Sequence, residues 1–127
     1  MILADTSYLL ALFASNDERH SRASDLSARI SEKVGLTDHV FSELITLLSR
    51  RSGSSEAYKV GTRILQSDLL ILHVADEDLK PALETVKSHS NVSMCDAISA
   101  VVMKKLGIRK ILSFDSDFDR LGFERIH

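Results

Sequence analysis

The chain has 127 residues, 44% hydrophobic and 27% charged, with five Gly and one Pro, which excludes disordered, collagenous and low-complexity classes and fits a single domain over 1–127. Sixteen Lys and Arg against eighteen Asp and Glu leave a net charge of -2, which excludes a protein that coats nucleic acid through bulk charge. The lone cysteine, Cys95, excludes an internal disulfide or a paired-thiol metal clip, and no apolar run approaches the roughly 18 residues of a membrane span, so a reducing, cytoplasmic setting is expected.

The first apolar run, Met1 to Ala4, has no basic leader and reads as a buried strand. Asp5 follows it and is a favoured cap for a helix beginning near Thr6. Residues 17 to 33 carry Ala23, Leu26 and Ile30 at helical spacing, and Val34 to Leu36 is a second short strand. Two more helices follow, 38 to 51 with Phe41, Leu44, Ile45 and Leu48, and 55 to 67 with Val60, Ile64 and Leu65. Leu69 to Val74 is the third strand. Asp78, with Pro81 in the first turn, opens the next helix, and Ser93 to Leu106 forms another that ends in Lys104, Lys105 and Gly107. Lys110 to Phe114 is the last strand. Strand and helix alternating in this way predict an α/β fold, a central mostly parallel sheet with helices on both faces.

Ligands of such sheets sit beyond the carboxyl ends of the strands. Asp5 follows the first strand and Asp115 the last, Glu43 lies on the helix after the second, and Asp96 stands in the first turn of the helix before the last. Taken singly, each has a bland role. Asp5 serves as a helix cap, and Ser93 with Asp96 fits a capping box. At roughly 100° per residue, the apolar residues from Val40 to Leu48 fill an arc of about 160°, and Glu43 falls about 40° outside it, at the border of the core. Taken together, the four acids predict one pocket in which unpaired carboxylates repel unless a cation neutralises them or some are protonated. Oxygen ligands of this kind select Mg²⁺ or Mn²⁺ and point to metal-assisted phosphodiester hydrolysis.

Other sites fail on residue spacing. The acids in Phe114-Asp115-Ser116-Asp117-Phe118-Asp119 lack the Gly and Glu of a calcium loop, having Arg120 and Ile126 at those positions. An acidic-pair phosphatase would need more chain after Asp117. No glycine-rich phosphate loop exists, Cys95 sits in a helical apolar pattern with no His nearby, and His20, His39, His73, His89 and His127 lack the spacing of a zinc site. A receiver domain would need an acidic pair after the first strand, where Asp5 stands alone.

Four segments together resemble the PIN-domain family, and the chain's size resembles its stand-alone VapC-type toxin ribonucleases. They are Ile2-Leu3-Ala4-Asp5-Thr6-Ser7, Phe41-Ser42-Glu43-Leu44, Ser93-Met94-Cys95-Asp96-Ala97 and Leu112-Ser113-Phe114-Asp115-Ser116-Asp117-Phe118. The resemblance implies the family's α/β/α sandwich and metal-dependent RNA cleavage, with Asp5, Glu43, Asp96 and Asp115 as the acidic quartet. It places Thr6 and Ser113 among hydroxyls that support the acids, and Asp117 as an extra acid acting through water. His20 and Ala23 match the family in packing positions. A toxin role further implies a VapB-like antitoxin and a homodimer. Arg50, Arg51, Lys104 and Lys105 are the candidate RNA contacts. The competing reading is a PIN-like domain that binds RNA or protein without cutting, or a nuclease of RNA maturation.

Overall fold

The computed structural model describes all residues, 1–127. Five strands form one all-parallel sheet: β1 (Ile2–Ala4), β2 (Val34–Thr37), β3 (Leu70–Leu72), β4 (Lys110–Leu112) and β5 (Glu124–Ile126). Their order is β3-β2-β1-β4-β5, so β1 and β4 are central neighbours. Seven helices connect them: α1 (Thr6–Phe13), α2 (His20–Arg29), α3 (Asp38–Ser52), α4 (Ser54–Leu65), α5 (Asp76–Ser88), α6 (Met94–Leu106) and α7 (Asp117–Arg120).

Side-chain alternation along the short central strands divides the interior into two cores. Ile2, Ala4 and Leu112 pack with Leu9 of α1, Leu26 of α2, Leu44 and Leu48 of α3, and Ile64 of α4. Leu3 and Ile111, on the opposite face, pack with Ala82 of α5, Ile98 and Met103 of α6, and Phe118 of α7. The three-layer sandwich follows directly from that alternation. His20 has a packing role, its ring nitrogen 2.9 Å from the Ala11 carbonyl, which ties α2 to α1.

Several boundaries differ from the sequence expectations, each for a local reason. The helix predicted over 17–33 begins only at His20, because Asp17 turns back to accept the Arg19 amide. The last predicted strand ends at Leu112: the Ser113 amide still donates to the Ile126 carbonyl of β5, and the Phe114 and Asp115 amides then turn to the hydroxyls of Ser7 and Ser113. Pro81 lies in the interior of α5 and not in its first turn, because the helix starts at Asp76. There Asp78 accepts the Ala75 amide, and the exposed Pro81 removes one helix hydrogen bond. Strand β5 is too short and too polar to show in the pattern; Gly122, at φ 88, makes the turn from α7 that reaches it. Gly107, left-handed at φ 69, ends α6.

Candidate active site

Three helix starts lie at or beside the carboxyl edge of the sheet. Thr37 accepts the Val40 amide to cap α3, Asp5 accepts the Ser7 amide to cap α1, and Ser93 accepts the Asp96 amide to cap α6. The reciprocal half of the expected capping box, from the Ser93 amide to the Asp96 carboxylate, is not formed. Asp96 therefore faces the other acids. Asp5, Glu43, Asp96 and Asp115 all line one cavity of about 380 Å³, along with Thr6 and Ser7. A larger groove of about 600 Å³ beside Tyr8, Leu12 and Phe13 is mostly apolar and has a single carboxylate, Glu32. It lacks the groups for this chemistry.

Two of the cavity's acids, Asp96 and Asp115, form a cluster with the neighbouring Asp117, each offering a carboxylate oxygen with all three within 4.8 Å of one another. Asp117 thus stands beside two of the quartet. Arg120 pairs with its Oδ1 at 2.8 Å and also donates to the Ser90 carbonyl, which ties α7 to the loop before α6. The Asp115 carboxylate is oriented by accepting the Asp117 amide at 2.9 Å.

Asp5 is 2% exposed, and its two oxygens have different surroundings. Oδ2 receives the Ser7 hydroxyl at 2.7 Å, the Ser113 hydroxyl at 2.9 Å and the Ser7 amide at 3.3 Å. Oδ1 is buried without a partner, as is the hydroxyl of Thr6. Capping and site formation are therefore compatible, since the cap uses one oxygen and leaves the other. A buried carboxylate oxygen without a donor is costly in the absence of a cation. The donor set is all oxygen and suits a hard divalent cation.

The same crowding sets the proton affinities. Burial raises the Asp5 carboxyl above its ordinary value against the opposing hydrogen bonds of Ser7 and Ser113. Asp96 is pushed up to about 8, first by burial and then by the negative charges of Asp5, Asp115 and Glu43, with the Ser93 hydroxyl opposing. Cys95 is half-buried beside Glu43, and burial and the surrounding carboxylates push its thiol well above the ordinary range. That environment disfavours the thiolate and agrees with a non-nucleophilic Cys95.

The basic residues are more dispersed than the acids. Lys105 donates to both oxygens of buried Asp78, at 2.8 and 2.9 Å, and joins α6 to α5. Its ammonium holds the Asp78 carboxyl below the usual range. Arg51 pairs with Asp17 at 2.8 Å. Lys104 is exposed but sits about 12 Å along α6 from Asp96, toward the opposite edge of the sheet. Arg50 is exposed on α3, two turns from Glu43. Ser7 is the residue that sequence reasoning missed: its hydroxyl joins Asp5 to the Phe114 amide at 3.0 Å. The only local signal for it was a hydroxyl two positions after a capping Asp.

With this geometry in hand, comparisons with known proteins agree on one family. The PIN domain family model matches residues 2–124. The chain is 35% identical over 128 residues to the 23S rRNA-specific endonuclease VapC20 of Mycobacterium tuberculosis, covering 99% of this chain and 98% of the relative. It is 27% identical over 135 residues to a VapC ribonuclease of Aquifex aeolicus, covering 100% of this chain and 96% of the relative. The crystal structure of VapC20, a sarcin-ricin loop cleaving toxin, is similar at a TM-score of 0.91 and 34% identity, over 97% of this chain and 96% of that one. VapBC2 of Rickettsia felis, bound to a promoter DNA fragment, shares the fold at a TM-score of 0.71 and 14% identity, over 99% of this chain and 98% of that one. The acidic edge of this parallel sheet is therefore that of a chain belonging to the PIN domain family.

Proposed function

We propose that this chain is a divalent-metal-dependent ribonuclease, using Mg²⁺ or Mn²⁺, and the toxin of a toxin–antitoxin pair. The observation that carries the reading is the cluster of Asp96, Asp115 and Asp117 oxygens within 4.8 Å, of which Asp96 and Asp115 line one cavity with Asp5 and Glu43. The relatives named as VapC endonucleases, similar along nearly the whole chain, support the reaction class.

Asp5, Glu43, Asp96 and Asp115 hold the cation, and Asp117 assists. A bound divalent cation supplies a Lewis acid that lowers the pKa of an attacking water and offsets charge on the leaving oxygen. The protein's own groups do the rest. Asp5 is held by Ser7 and Ser113 with Oδ1 left free, Asp115 is oriented by the Asp117 amide, and Arg120 restrains Asp117. In the metal-free protein burial, and then its acidic neighbours, raise the proton affinity of Asp96, and it would give up that proton when the cation binds. Arg50, exposed and free of an ion pair, takes a backbone phosphate of the RNA.

The antitoxin and a homodimer belong to the same reading and are tested by co-purification and by mass in solution. No helix is long and apolar enough to cross a membrane, in keeping with a cytoplasmic toxin. The substrate class is examined with purified wild type and Asp96→Asn on ribosomal RNA, an isolated sarcin-ricin hairpin and unstructured RNA. Each RNA is tested in EDTA and with Mg²⁺ or Mn²⁺. Cutting is expected in wild type with metal only, with the hairpin the preferred substrate because VapC20 is named for it. Equal cutting by Asp96→Asn, or no cutting of any RNA by folded wild type with metal, overturns the reading.

A further inference from the structure

We propose that Ser7 is a positioning residue of the metal site, whose hydroxyl locks the Asp5 carboxylate to the loop that carries Asp115. The inference rests on the metal-site reading above and extends it to a residue outside the acids.

Two serine hydroxyls converge on one carboxylate oxygen. Ser7 Oγ lies 2.7 Å and Ser113 Oγ 2.9 Å from Asp5 Oδ2, and the two hydroxyl oxygens are 3.2 Å apart. Each hydroxyl has a single proton, and the charged carboxylate is the strongest acceptor in reach of both. Both protons therefore go to Oδ2, and the contact between the two hydroxyls is side-by-side packing. Each oxygen is then free to accept. Ser7 takes the Phe114 amide at 3.0 Å, and Ser113 takes the Asp115 amide at 3.0 Å.

The consequence is mechanical. Strand β4 ends at Leu112, so the Phe114 and Asp115 amides have left the ladder and depend on these hydroxyls. Asp115 Oδ1 in turn accepts the Asp117 amide, which continues the chain of bonds from Asp5 to two members of the acidic cluster. With Oδ2 saturated by three donors, the Asp5 carboxylate has a fixed rotation that leaves Oδ1 unpartnered. Ser7 thereby fixes Asp5 relative to the Asp115 loop, and both acids would hold the cation. Removing the hydroxyl leaves the cap intact, since the Ser7 amide still donates to Asp5, so helix α1 has no reason to unravel.

The test compares wild type, Ser7→Ala and Ser7→Thr as intact chains. Mn²⁺ binding is measured directly by paramagnetic resonance or calorimetry, alongside metal-free melting temperature and RNA cleavage at graded Mn²⁺. Ser7→Ala is expected to lose about 10–100-fold in Mn²⁺ affinity, the range for removing a group that orients a metal ligand. Its melting transition and its KM for RNA should be close to wild type, while kcat falls at low Mn²⁺ and recovers as Mn²⁺ is raised. Ser7→Thr keeps the hydroxyl and should return affinity to the wild-type range. Unchanged Mn²⁺ affinity in Ser7→Ala overturns the proposal, as does equal impairment of both variants. Loss of the cooperative melting transition in Ser7→Ala makes Ser7 a folding residue and also overturns it. If wild type binds Mn²⁺ but cuts no RNA, the ribonuclease reading fails while the Mn²⁺ comparison still decides the role of Ser7. If wild type binds no Mn²⁺, both fall together.

Discussion

Replacing Asp96 with Asn is expected to end RNA cleavage and yet to stabilise the metal-free protein at neutral and alkaline pH. Burial, followed by the charges of Asp5, Asp115 and Glu43, raises the Asp96 carboxyl from 3.8 to about 8. The folded protein thus holds this proton more tightly than the unfolded chain does. The contribution to stability is fully present below the ordinary carboxylate value and is lost as pH rises toward about 8. One group titrating in this way changes stability by at most about 1.4 kcal/mol per pH unit, or about 4 kcal/mol between pH 5 and pH 8. Sharing of charge among neighbouring acids reduces that to roughly 2–4 kcal/mol. In a domain of this size 1 kcal/mol corresponds to about 3–5 °C, so wild type in EDTA should melt about 10 °C lower at pH 8 than at pH 5. Asn carries no charge at either pH, so its curve should lose the share of the slope due to Asp96 and keep that of Asp5, whose carboxyl burial also raises. Added Mn²⁺ at 100 times its Kd should return about 2.7 kcal/mol to wild type at pH 8 and much less to the variant. The assay is thermal unfolding by circular dichroism across that range, with and without metal. Parallel pH profiles for wild type and Asp96→Asn would refute the argument, because burial and the neighbouring charges would then not hold a proton on Asp96 in the folded protein.

Five other outcomes follow from the same structure. Chelation by EDTA should stop cleavage and either Mg²⁺ or Mn²⁺ restore it, read on a labelled hairpin; cutting that persists in chelator contradicts the oxygen-ligand site. Lys105→Gln removes the pair with Asp78 and should lower the melting temperature while leaving KM for RNA unchanged; a selective rise in KM would place Lys105 on the RNA. The stabilisation Asp78 draws from Lys105 is present above the ordinary carboxylate value and lost as pH falls below it, so wild type and Lys105→Gln should converge in melting temperature in acid. Leu48→Ala, which empties part of the fully buried core beneath α3, should cost about 3 kcal/mol in chemical denaturation without changing Mn²⁺ affinity. Cys95, its thiol held protonated by burial and by the acids around it, should alkylate far more slowly in the folded protein than in denaturant at pH 8; equal rates would contradict the buried, acidic setting.

Much of this protein was legible along the chain. The apolar run ending at Ala4, the stripe of Leu44 and Leu48 and the run from Ser93 into α6 are local patterns, and local periodicity reports which face of an element is buried. The rule that ligands gather beyond the carboxyl ends of parallel strands then brought Asp5, Glu43, Asp96 and Asp115 to one edge, where the structure has them lining one cavity. Pattern alone could not show that Asp117 lies within 4.8 Å of Asp96 and Asp115, since a short acidic turn reads as solvated charge until α7 is packed. Nor could it show that Lys105 is committed to Asp78, 27 residues away, or that a three-residue polar segment adds β5 to the sheet.

The sequence by itself determined the element types, the two-sided sheet and the acids at its edge, because these depend on residue spacing within single elements. Only the tertiary structure decided which oxygen of Asp5 is free and which serines hold the other. Ser7 and Ser113 are 106 residues apart, and they meet because the parallel pairing of Ala4 with Leu112 ends β1 and β4 side by side. The register of two neighbouring strands, a property of the assembled sheet and not of either segment, places both hydroxyls on one carboxylate.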